Sequence, residues 1–169
     1  CQLFDAGLNL FSGQANAEAI VVFLILNSQF RLATQISLET AIDITRVSDS
    51  ITDIFANESD DRVSTTINGL ESNAPLYMVR QFILTMVNRI VYLHSDERLL
   101  FVVISAVQTK SIKASLYLQY GQLEDAFNCA KDSESDLLPL IGHIASIEGK
   151  FQILQETVRL IEKRMKNTD

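Results

Sequence analysis

His94-Ser95-Asp96-Glu97 is the first place in this sequence where acid–base or metal chemistry could be sought, since it sets an imidazole beside two carboxylates. A metal centre or general base built there needs further ligands, and the sequence brings none at useful spacing. The segment reads instead as a turn into a helix, with acids near the positive end of the helix dipole. His143, among Leu138, Leu140, Ile141 and Ile144, reads as a packing or surface histidine. The run from Gly142 to Lys150 looks superficially like a phosphate loop. Six residues separate its glycines and Phe151 follows the lysine, whereas the motif needs four residues and then Ser or Thr. The acidic groups Glu58–Asp61 and Asp132–Asp136 lack the alternation of oxygens that a calcium loop requires and read as solvated loops. Neither a nucleophile elbow nor HExxH is present. Cys1 and Cys129 are too far apart in sequence to suggest a disulfide framework or a zinc site. Cys129, on an apolar helical face, is expected to be a buried thiol. Asn57-Glu-Ser fits a glycosylation sequon by chance alone. The expectation is a chain with no catalytic, cofactor or metal residues, and not an enzyme.

Composition narrows the class further. The chain has 169 residues, 47% hydrophobic and 21% charged, enough to bury a core and too apolar for disorder. A net charge of −7 argues against a nucleic-acid footprint and gives no support for electrostatic docking on anionic lipid. The longest greasy run, Ala19–Leu26, has eight residues, far short of the roughly 20 that span a bilayer. Mean hydropathy of +0.16 suggests that some apolar surface meets a partner or more of a longer chain. Cys1 in place of Met suggests a fragment or a processed chain, and Cys-Gln-Leu-Phe, which looks like the middle of a helix, favours the fragment. A reducing, cytoplasmic setting is expected.

The elements are helices. A short one is expected over Leu3–Phe11, ending near Ser12-Gly13, and a central one over Ala15–Thr34. Ser37 should cap a third, with Asp43, Arg46, Asp49 and Asp53 on its polar side and Leu38, Ala41, Thr45, Ser48, Ile51 and Phe55 on the other. Asp61–Leu70 reads as a short helix. Glu71–Pro75 is a loop, with Pro75 in the first turn of the next helix; there Val79, Phe82, Ile83, Met86, Val87, Ile90 and Val91 make a wide apolar stripe. Asp96 should cap the longest helix, Glu97–Tyr120, about 36 Å long. Then follow Gln122–Lys131, a linker Ser133–Asp136 in which Ser135 or Asp136 caps the next helix, Leu137–Ile147, and Lys150–Lys166 with Phe151, Leu154, Val158 and Ile161 as its stripe. Clusters such as Val102-Val103-Ile104 are too long and unbracketed for strands. The expectation is a single all-α domain over 1–169, with eight or nine helices in antiparallel pairs, as an α-solenoid fragment or an irregular helical bundle.

The clearest local signature is the hairpin at Tyr117-Leu-Gln-Tyr-Gly-Gln122. Gly121 is the hinge, and Ala126 stands where close helix approach needs a small side chain. Tyr117 and Tyr120 flank the turn; partner contact and hairpin packing are equal readings of them. Leu116 to Gln122, followed by Ala126 and Cys129, resembles a helical hairpin in the large α-solenoid scaffold subunit of the retriever/retromer family. Val87-Asn-Arg89, at the end of an apolar helix, resembles the same subunit in the same order. The resemblance covers roughly residues 75–150. It implies a non-enzymatic endosomal coat scaffold for cargo recycling, cytoplasmic and peripheral on endosomes, with only indirect membrane association. The partners it implies are a small phosphoesterase-fold subunit and an arrestin-fold subunit. No binding motif of the family is matched residue by residue, so no contact residue is carried over. The tetratricopeptide consensus is not met, because its Trp position and closing Pro are missing.

Two functions are therefore in view. One is a protein–protein interaction scaffold. The other is a helical bundle holding a lipid or other apolar ligand between the faces near Ile20–Phe30 and Leu99–Val107.

Overall fold

Asp43, Ser59 and Asp96 start three of the helices by accepting backbone N–H groups that a helix N-terminus leaves unpaired. Asp43 Oδ1 accepts from Thr45 at 3.0 Å, Ser59 Oγ from Arg62 at 3.4 Å and Asp96 Oδ1 from Leu99 at 3.0 Å. The computed structural model describes residues 14–133 and 136–168. It contains α1 (Gln14–Leu26), α2 (Phe30–Thr40), α3 (Ile44–Phe55), α4 (Asp60–Asn73), α5 (Leu76–Arg89), a π-helical turn (Ile90–His94), α6 (Glu97–Ala106), α7 (Lys110–Gln119), α8 (Leu123–Lys131), α9 (Leu138–Glu148) and α10 (Phe151–Asn167). No strand occurs among the described residues, so the fold is all-α. Contacts divide the chain into two units, which meet in sequence at Ala106 and Val107.

In the first unit α1 and α2 fold back on each other across Asn27–Gln29. Beyond this hairpin, packing runs mainly between alternate helices. α1, α3 and α5 make one row; α2, α4 and α6 make the other. Helix pairs that stack in this way bury a continuous core between the rows. α3 contributes Val47, Ile51 and Phe55, α4 Val63 and Ile67, and α5 Ile83, Met86 and Val87, all fully buried. Each such side chain stabilises the fold by about 1.5–3 kcal/mol relative to exposure. The buried Ser48 hydroxyl donates to the Phe82 carbonyl at 2.6 Å and ties α3 to α5. Gly69 on α4 lets the Phe30 ring of α2 lie flat on the helix backbone. A Cβ at Gly69 would stand 2.1 Å from Phe30 Cε2.

The second unit stacks α7 on α8, α8 on α9 and α9 on α10, with α10 returning to α8. Its core is Ala114, Leu123, Ala126, Phe127, Ala130, Leu138, Ile141 and Ala145. The four alanines let helix backbones approach closely, and Leu123, Phe127, Leu138 and Ile141 fill the volume that remains. Gly121 has φ +70° and closes the α7–α8 turn. Gln122 N donates to Tyr117 O at 2.9 Å and Gly121 N to Leu118 O at 3.1 Å, so the last carbonyls of α7 are met.

Among the described residues there are ten α-helices and a π turn, more than the eight or nine expected, because two expected helices are each cut in two. The run Ala15–Thr34 breaks at Asn27–Gln29. Ser28 adopts φ +62° and Gln29 N bonds to Leu24 O at 2.8 Å. Ser37 caps nothing. It is buried inside α2, with its hydroxyl on the Ala33 carbonyl at 2.7 Å, and Asp43 is the true cap of the helix that ends at Phe55. The 36 Å helix expected over Glu97–Tyr120 is interrupted at 107–109, where Thr109 is extended and takes the N-cap position of α7. Of Glu58–Asp61 only Glu58 and Ser59 lie in the break, since Asp60 and Asp61 form the first turn of α4. Pro75 lies one residue before the helix it was expected to begin. Leu137, without a side-chain cap, precedes α9 in place of Asp136. The expectations at Leu3–Phe11, Ser12-Gly13, Cys1 and Ser135 lie outside the described residues.

Candidate functional site

His94 finds its acid in α3, not in the adjacent Asp96. Its Nε2 is 2.8 Å from Asp53 Oδ1, while Arg89 grips the same carboxylate with Nε at 2.7 Å and Nη2 at 2.8 Å. Arg89 also approaches Asp49 at 3.8 Å. The guanidinium beside Asp53 holds its carboxyl below the usual range; partial burial opposes this, and the bond from His94 adds to it. A planar fork on a carboxylate fixes geometry as well as charge. Here it locks the end of α5 and the π turn onto α3.

The π turn decides what faces outward. In an α-helix, residues three and four places on return to the same face, so Leu93 or His94 would rejoin buried Ile90. Instead Ser95 N bonds back to Ile90 O at 2.7 Å, and Ser95 takes φ +49°. The extra residue turns Leu93 out beside Tyr92, which two places after Ile90 already faces away; they are 60% and 84% exposed. They edge a shallow cleft with Thr45, Asp49, Thr85, Asn88 and Arg89. π turns recur at functional positions, and an exposed tyrosine beside an aliphatic residue on a rigid helix end is suited to protein contact. The sequence-level reading missed this surface. Its visible signal was Leu93, at the spacing that continues the apolar stripe from Ile90, next to an outward Tyr92.

Tyr117 and Tyr120 are both half-buried. Tyr117 packs against the core of the second unit, and this burial pushes its phenol pKa up, helped by Cys129 and Asp125. Cys129 is half-buried as well, not fully buried as expected. Burial raises its thiol pKa, with Lys113 and Lys110 opposing and Asp125 and Asp132 adding. Such a thiol is a poor nucleophile near neutral pH. His143 is exposed on α9. Among the described residues no three His, Cys, Asp or Glu side chains gather as a metal set, and no helix is long and apolar enough to cross a membrane.

The apolar cavity lined by Ile25, Ala33, Leu70, Met78, Val79 and Phe82 has a volume of about 10 Å³, room for roughly one water. Other large apolar side chains stand outside in sequence-adjacent groups: Leu76 with Tyr77 on α5, and Ile147 with Phe151 on either side of Gly149. No family model, curated protein or solved structure matches the chain.

Proposed function

We propose that this chain is a non-enzymatic protein–protein interaction scaffold. The observation that carries the reading is the outward pair Tyr92-Leu93, held by the Asp53–Arg89–His94 lock at the edge of the α3–α5 cleft. Large apolar side chains displayed on a rigid frame favour association, since covering them releases water at about 25 cal/mol per Å². Polar groups at the rim, Asp49, Thr45 and Thr85, supply orientation. The one-water size of the cavity in the first unit weighs against an acyl chain enclosed there. With the resemblance of Leu116–Gln122 added, the reading becomes that of an endosomal cargo-recycling coat subunit. Its partners would be a small phosphoesterase-fold subunit and an arrestin-fold subunit, and its membrane contact indirect. Tyr117 and Tyr120 remain proposed contacts beside the α7–α8 turn.

The test is quantitative affinity capture with Tyr92→Ala/Leu93→Ala beside the wild type. Both side chains are exposed, so the double variant should melt within a degree or two of the wild type. A stoichiometric protein captured by the wild type and lost with the variant supports the reading. Identical capture by both chains would remove this surface from it.

A further inference from the structure

We draw no further inference here: the strongest candidate, the outward apolar face that Phe151, Val158 and Met165 make along α10, carries none, because nothing in the structure shows what covers it.

Discussion

At the scale of single residues, two polar side chains carry opposite lessons. Thr157 is fully buried on α10 and its Oγ1 has no hydrogen-bond partner among the described residues. An unmet buried hydroxyl costs about 1–3 kcal/mol. Its methyl, 3.2 Å from where a Cβ on Gly142 would stand, does the packing. Thr157→Val keeps the shape and removes the unmet hydroxyl, so it should stabilise the protein by about 1 kcal/mol in urea unfolding; a loss of stability would show that the hydroxyl is satisfied. Asp53 is the contrary case, an acid whose partners Arg89 and His94 hold its carboxyl below the ordinary range. The unfolded chain therefore binds this proton more readily than the folded one. The stabilisation from Asp53 is full above the ordinary carboxylate pKa of about 4 and is lost as the pH falls through the lower folded value. Stability measured from pH 6 down to 2 should fall less steeply for Asp53→Asn than for the wild type. Parallel curves would mean that the Arg89 contact is not kept in solution.

At the scale of elements, one glycine sets a packing and another a turn. Gly69→Ala drives a methyl into the buried Phe30 ring, so it should cost about 1–3 kcal/mol despite alanine's better helix propensity. Adding Phe30→Leu should recover part of the loss, which a double-mutant cycle will read as coupling between α2 and α4. Gly121 meets nothing within 4 Å, and its cost on substitution is conformational only. Gly121→Ala should lose roughly 1–2 kcal/mol from the left-handed backbone, and Gly121→Asn clearly less. The Gly121 hinge, buried Ala126 and the α5 stripe were legible in the sequence because each rests on local pattern. The breaks at Asn27–Gln29 and 107–109 were not. Neither contains Gly or Pro, and apolar residues continue at helical spacing on both sides. Asp43 was visible as a cap residue but equally plausible on a polar helix face. The Asp53–Arg89–His94 lock spans 41 residues and depends on which helices stack, which periodicity does not tell. The outward turn of Phe151 and Val158 was hidden for the same reason: a stripe shows that a face is apolar, and only packing shows whether it is covered.

At the scale of the whole molecule, lysine is unevenly placed. All six lysines fall after Ala106, whereas the residues before it carry arginine as their only strong base. Cross-linking through lysine in a native complex therefore reports on the second unit, and Lys163 and Lys166, exposed on the last helix, should react ahead of Lys110, whose ammonium lies 3.6 Å from Asp132. The exposed apolar groups, Tyr92-Leu93 on one unit and Phe151, Val158 and Met165 on the other, are surfaces that a scaffold would cover. Native mass spectrometry of the protein purified from its own cells tests that role most directly. The scaffold reading predicts one discrete assembly with other protein subunits in fixed stoichiometry, lost on collision without release of a small apolar molecule. A lone chain carrying a bound lipid mass would contradict it.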